Sequence, residues 1–173
     1  VYQIDIATPQ NELIIACDKV PSHKVEMKDI ILREEAYIDE EGTALNEIRF
    51  TITDPSIEAN YYEIRIILAN IHDKDTTYHA PYLTSKDPVI MQEGDIYYFP
   101  ESLLFSDELF NGEEKEISLY YGGYTCIGCD NEPIVIIELR TATENFYRYK
   151  KSLYRHLENQ SSDIWDGMAN PVE

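Results

Sequence analysis

Two neighbouring stretches decide the fold: "LNEIRFTITDP", Leu45–Pro55, and "NYYEIRIILANI", Asn60–Ile71. In the first, Ile48, Phe50 and Ile52 alternate with Glu47, Arg49 and Thr51. A period of two puts the apolar set on one face of a strand and the polar set on the other. The second stretch repeats the pattern with Tyr62, Ile64, Ile66 and Leu68. Asp54-Pro55 stops the first run, and the turn-rich link "DPSIEAN" predicts that the two strands are antiparallel neighbours.

The same alternation extends outward in both directions. Tyr2, Ile4 and Ile6 alternate with polar residues, Thr8–Asn11 reads as a turn, and Leu13–Cys17 as a short apolar strand. Val20-Pro21 breaks the pattern, which resumes over Val25–Leu32. "REEAYIDEEGT", Arg33–Thr43, mixes acids with a glycine and reads as a wet edge or loop. From His72 to Asp87 the chain is polar and irregular. "PVIM" and "IYYFP" flank the turn "QEGD", and "SLLFSDELFNG" has helical spacing at Leu104, Leu109 and Phe110 for a turn or two. "EKEISLYY" and "PIVIIELRT" are two further strands.

One segment has the signature of a substantial helix, over about 142–159. Thr141 and Glu144 stand at capping-box spacing. Phe146, Tyr149, Lys150, Leu153, Tyr154 and Leu157 follow helical period, with Arg and Lys on the other face. Many strands followed by one late helix, without βαβ alternation, predict a mainly β fold. The expected architecture is an antiparallel β-sandwich, Ig-like or jelly-roll-like, with one C-terminal α-helix. At 173 residues the chain has the size of one domain.

Composition excludes some partners. The chain carries 33 acidic and 14 basic residues, a formal net charge of −19. Nucleic-acid binding draws on clustered Lys and Arg, so nucleic acid is not an expected partner. Adsorption to anionic lipid is disfavoured for the same reason. The sequence has no run of about 18 apolar residues, the length a spanning helix needs. It opens in mid-strand with "VYQIDIATPQ", which reads as a piece of a longer protein.

The sequence has three cysteines. Cys126 and Cys129 form a CxxC in the glycine-rich stretch "YYGGYTCIGCDNEP" between two strands. A structural zinc site needs four ligands, and Cys17 with His23, His72, His79 and His156 supplies no local pair. A thioredoxin-like centre belongs at a helix N-terminus, not in a loop between strands. A loop staple or two free thiols remain open at this point. "HDKDTTYH", His72–His79, concentrates possible metal ligands (His72, Asp73, Asp75, His79) without calcium-loop spacing, and reads as a solvated loop.

No motif of a hydrolase, protease or phosphate-binding loop is present, and no catalytic residue, cofactor site or metal site is assigned. A binding surface is the remaining expectation. Tyr61-Tyr62, Tyr97-Tyr98 and Tyr120-Tyr121 are strand doublets, each placing one ring inward and one outward. The outward rings are either an aromatic docking patch or a shield for the sheet faces. Exposure alone nominates Glu34, Glu35, Asp39, Glu40 and Glu41, together with the tip at Tyr124, as an interaction surface.

"ITDPSIEANYYEIRI", with its D-P…N-Y-Y pattern, resembles the domain of unknown function 4249 family of Bacteroidetes outer-membrane lipoproteins. "LLFSDELFNG", Leu103–Gly112, and "ENFYRYKKSLYRHLENQ", with Tyr147, Tyr149, Ser152 and Leu153 in a Y-x-Y-x-x-S-L pattern, are similar to two more of its motifs. "ANPVE" resembles the E-P-V that follows, with Asn170 where Glu is usual. The resemblance implies an acylated lipoprotein with an Ig-like region ahead of this one and a terminal strand after it. It also implies a partner role beside a TonB-dependent outer-membrane transporter, with the membrane reached only through a lipid anchor outside this sequence. An oxidising, extracytoplasmic setting then implies a Cys126–Cys129 disulfide, and leaves Cys17 as a buried small hydrophobe. The family brings no catalytic or ligand-binding residues to carry over.

Overall fold

The computed structural model describes residues 1–9, 12–56, 58–72, 75–94, 102–122 and 133–160. Its strands are β1 (Tyr2–Ala7), β2 (Leu13–Asp18), β3 (Met27–Ile38), β4 (Ala44–Thr53), β5 (Tyr61–His72), β6 (Asp75–His79), β7 (Leu83–Thr84), β8 (Leu103–Ser106), β9 (Glu114–Gly122) and β10 (Ile134–Ala142). Two helices, α1 (Pro88–Met91) and α2 (Glu144–Gln160), complete the order. Every strand pairing is antiparallel. The mainly β fold with a C-terminal helix follows the alternation pattern.

β3-β4-β9-β7 form one sheet. In a second, β5 pairs with β10 along one side, and on its opposite side with β8 near its start and β6 near its end, while β1 and β2 pair only with each other as a hairpin. The inner faces supply one core. Ile48, Phe50 and Ile52 of β4 meet Tyr62, Ile64 and Ile66 of β5, with Leu103, Phe105, Ile117 and Leu119 from their neighbours, and all are buried. At roughly 1.5–3 kcal/mol for each large apolar side chain buried, this cluster supplies the main cohesive term.

The link "DPSIEAN" does not join antiparallel neighbours. β4 pairs with β3 and β9, whereas β5 pairs with β10, β6 and β8, so the link carries the chain from one sheet to the other. Periodicity says which face of a strand is apolar but not which sheet it joins. Other differences are local. "PVIM" is helix α1, started by the Asp87 side chain accepting from Val89 N (3.0 Å) with Pro88 in the first turn. Leu103–Ser106 is strand, not helix, and the region from His72 to Asp87, read as irregular, contains β6 and β7.

Helix α2 lies on the outer face of the β5–β10 sheet. Its cap is Thr143 rather than Thr141: Phe146 N donates to Thr143 Oγ1 at 3.1 Å, while the Thr141 hydroxyl donates to His23 O at 3.1 Å. The docked stripe is Tyr147, Lys150, Lys151 and Tyr154, at i, i+3, i+4 and i+7. Tyr149 and Leu157, expected to face the sheet, are exposed. Two carboxylates hold the stripe. Buried Glu63 lies 3.5 Å from Lys150 Nζ and 3.5 Å from Arg140 Nη1, and accepts from Ser102 Oγ at 2.7 Å. Ser102 Oγ in turn contacts Tyr154 Oη at 2.7 Å. Glu93 accepts from Lys151 Nζ (2.9 Å), from the Tyr147 hydroxyl, and from Ser106 N (2.8 Å) and Oγ (3.0 Å).

A helix held this way should open separately from the core. Glu93→Ala leaves Lys151 and Tyr147 without their shared acceptor. Hydrogen exchange across Glu144–Gln160 is then expected to accelerate at least tenfold, a loss of about 1.4 kcal/mol in local opening free energy. Exchange in β4 and β5 should be unchanged, as measured by mass spectrometry of the exchanging protein.

Candidate functional site

Two of the family-like patterns come together at one corner of the sandwich, a third (Tyr147, Tyr149, Ser152 and Leu153) lies on α2, and the one with Asn170 lies outside the described residues. The turn after β4 (Asp54–Asn60) and the turn after β8 (Asp107–Glu113) face each other where the chain changes sheets. Asp54 N donates to Glu113 O at 3.0 Å, and the Asp54 carboxylate accepts from Gly112 N at 2.9 Å and from the Tyr62 hydroxyl. Asp107 N donates to Asn60 O at 3.0 Å. Its carboxylate accepts from Asn60 N at 2.8 Å and Asn60 Nδ2 at 3.1 Å. Asn60 Nδ2 also reaches Pro55 O (3.0 Å) and Glu58 O (2.8 Å). Tyr62 stacks with Phe105 and Phe110, centroids 5.1 and 6.3 Å away.

Asp54 and Asp107 are both buried. Burial, with Asp54 nearby, pushes the Asp107 carboxyl above the usual range despite its bonds from Asn60. Burial and the Asp54 carboxylate hold the Tyr62 hydroxyl far above the ordinary phenol range, so it stays a donor. The two acids resemble a catalytic pair only in type. Their bonded oxygens face backbone amides, Asn60 and Tyr62, and this arrangement closes turns.

A third buried carboxylate, Glu47, sits on the outer face of β4. It accepts from Ser118 Oγ (2.8 Å) and Arg49 Nη2 (3.0 Å), with Arg33 Nη1 at 3.5 Å. Burial alone would raise its pKa, but those hydrogen bonds and charges together bring it below the usual range.

The nominated surface residues have separate places. Glu34 and Glu35 lie on β3, an edge strand with two register shifts and positive φ at Asp29 (50°) and Glu35 (47°). Bulges of this kind discourage strand pairing at an edge. Asp39 closes the β3–β4 turn, its carboxylate accepting from Glu41 N (3.0 Å) and Thr43 N (2.8 Å), and Glu40 and Glu41 form that turn's exposed tip. Tyr124, Cys126 and Cys129 lie outside the described residues, as do Tyr97 and Tyr98. Cys17 is exposed on β2, not buried, because the β1–β2 hairpin stands clear of the core. Among the described residues there is no group of three or more His, Cys, Asp or Glu arranged to hold a metal ion.

Of the tyrosine doublets, Tyr62 and Tyr121 point inward. Their outward partners are covered: Tyr61 by Tyr147 of α2, and Tyr120 by Tyr37 of β3, each pair 4.8 Å between centroids. These rings shield sheet faces. Open apolar side chains lie on the β1–β2 hairpin, where Tyr2, Ile4, Ile6, Leu13, Ile14 and Ile15 are all more than half exposed, and on the edge strand β3, where Leu32 and Ile38 are too. A groove of about 410 Å³ separates that hairpin from Asn145, Phe146 and Tyr149 of α2. A larger groove, about 590 Å³, opens at the hairpin's base beside Glu58 and Tyr61, where His23 Nδ1 lies 3.6 Å from Glu58 Oε1. The alternation in Tyr2–Ile6 was the available signal for this surface. Alternation marks an apolar face without saying whether another layer covers it, and here the apolar side chains of both strands are exposed.

A family model described as Domain of unknown function (DUF4249) matches residues 1–172. The chain belongs to that family. No curated protein and no solved structure matches the sequence. The DUF4249 patterns at Asp54–Tyr62 and Phe105–Gly112 therefore have a structural account: they are the two halves of the inter-sheet corner.

Two predictions concern that corner. Gly112 has φ +75°, and a Cβ there would lie 2.4 Å from Ser56 Cβ. Gly112→Ala should cost about 2–4 kcal/mol, lowering Tm by roughly 5–15 °C. Gly42→Ala, at φ +83° but with nothing within 4 Å, should cost much less. The raised pKa of Asp107 means that the folded state takes up its proton before the unfolded chain does. Its stabilising contribution is full below the unfolded value of about 3.9 and is lost as pH rises through the raised folded value. Urea titrations at several pH values should therefore show wild-type stability rising relative to Asp107→Asn as pH falls from neutrality to about 4.

Proposed function

We propose that this DUF4249 chain is a non-catalytic interaction domain of an outer-membrane lipoprotein, accessory to a TonB-dependent transporter in nutrient capture. The observation that carries the reading is the exposed apolar hairpin. A folded protein seldom leaves Tyr2, Ile4, Ile6, Leu13, Ile14 and Ile15 together in water unless another surface covers them. The polar chemistry supports the same reading. Asp54, Asp107, Glu47, Glu63 and Glu93 each hold turns, strands or the helix in place, and none is a free general acid or base beside a substrate cleft. The lipoprotein setting and the transporter rest on the family resemblance and are part of the proposal.

The test is affinity purification of the tagged full-length parent protein from its own outer membrane, with mass spectrometry of what accompanies it. A TonB-dependent transporter recovered at near-stoichiometric amount is the expected result. Recovery of the protein alone would overturn the stable-complex reading and favour an adhesion-like or structural surface module.

A further inference from the structure

Among the described residues β1 pairs only with β2, and every side chain along it is exposed. A two-stranded hairpin is marginal by itself and gains from further strands. The edges of the other two sheets are short, irregular or flanked. β6, β7 and β8 have five, two and four residues. β3 carries two register shifts and positive φ at Asp29 and Glu35. Near the end of β10 the Thr141 hydroxyl is bound to His23 O. β1 has none of these devices: Tyr2–Ala7 keeps unbroken register with β2 and contains no Pro or Lys.

The residues along β1 fit a second β1. In an antiparallel pair about a two-fold axis each residue meets one on the same face, so the axis passes beside a residue. An axis beside Ile4 sets Tyr2 against Ile6 of the copy, Ile4 against Ile4 and Gln3 against Asp5, and no like charges meet. Gln3 Nε2 already donates to Asp5 of its own strand at 2.8 Å, so amide and carboxylate suit each other. An axis beside Asp5 would oppose two Asp5 carboxylates, and pairing β2 with β2 about Ile15 would oppose Glu12 and Asp18. Charges around the hairpin are otherwise mixed: Lys19 follows Asp18, and Lys150 Nζ lies 5.9 Å from the Phe146 ring centroid. The net charge of −19 opposes self-association at long range, and physiological salt screens it beyond about 8 Å.

We propose that β1 pairs with β1 of a second copy of this chain, antiparallel about a two-fold axis beside Ile4. Two hairpins then form one four-stranded sheet, ordered β2-β1-β1-β2, with Tyr2, Ile4, Ile6, Ile14 and Ala16 of each copy on one face. The pairing uses the strand edge and leaves that apolar face available to another molecule. The inference therefore goes beyond the interaction-domain reading and does not depend on it.

The experiment is sedimentation equilibrium of the full chain at concentrations up to about 1 mM. Reversible dimerisation is expected, tightening as added salt screens the acidic surfaces. Ile4→Lys sets two ammonium groups against each other at the axis and should weaken the dimer about tenfold or more. Its thermal melt should stay in place, because Ile4 is 61% exposed. A second measurement places the axis, in a chain with Cys17, Cys126 and Cys129 changed to serine. Ile4→Cys should there form a disulfide-linked dimer on mild oxidation, since Cα atoms opposed across an antiparallel pair lie about 4.5–5.5 Å apart, within disulfide reach. Ile14→Cys, on the same face but three strand spacings (about 14 Å) from its copy, should not. A chain that stays monomeric throughout would overturn the proposal. So would a dimer that Ile4→Lys leaves intact, or cross-linking through Ile14→Cys as readily as through Ile4→Cys, which would mean face-to-face contact. A monomer whose Ile4 instead mediates uptake by zwitterionic vesicles would assign the hairpin to a lipid surface, also overturning it. A monomeric chain that co-purifies with a transporter would leave the accessory role standing while this proposal failed.

Discussion

The structure depends on how the chain leaves one sheet and enters the other. Sheets in a sandwich pack about 10 Å apart, so a crossing segment loses its ladder partners while still close to the core. Here that loss is met by two turns that satisfy each other: Asp54 binds the backbone of Gly112 and Glu113, and Asp107 binds that of Asn60. Two carboxylates are buried to do so, at a desolvation cost that only charge-assisted bonds offset. The Tyr62 ring fills the space between Phe105 and Phe110 and brings its hydroxyl to Asp54, coupling the corner to the apolar core.

The same use of carboxylates recurs away from the corner. Glu47 gathers Arg33, Arg49 and Ser118 on the outer face of one sheet. Glu63 and Glu93 hold α2 against the other. An acidic chain thereby places several of its charges inside polar clasps, and leaves apolar side chains exposed on the hairpin and along β3. The corner and clasps set the frame, and the hairpin stands apart from both.

Much of this was legible in the sequence, and the reason is the period of two. Ile48, Phe50 and Ile52, and Tyr62, Ile64 and Ile66, announced which face each strand buries, and the late helix was visible from its own period. The sheet order is not legible, because an apolar face does not specify its partner strand; a turn-rich link such as Asp54–Asn60 fits antiparallel neighbours as well as a crossing between sheets. Of the expected α2 face, Lys150 and Tyr154 dock while Tyr149 and Leu157 do not, and Tyr147 and Lys151 join the stripe because it meets Glu63 and Glu93, which no local pattern reveals. The two strands of the hairpin were legible from their alternation, but Cys17, expected to be buried, is exposed, because alternation signals a strand with an apolar face, not a covered one. The acidic residues from Glu34 to Glu41 were correctly placed at an edge and a turn. The exposed groove beside the hairpin arises from tertiary placement alone.

The most direct test of this account is the coupling energy between Asp54 and Tyr62, from a double-mutant cycle of Asp54→Asn and Tyr62→Phe read by urea denaturation. A buried hydrogen bond to a charged acceptor predicts coupling of about 1.5–3 kcal/mol, with both single variants clearly destabilised. Coupling near zero, with either single variant as stable as the wild type, would contradict the claim that this corner holds the two sheets together.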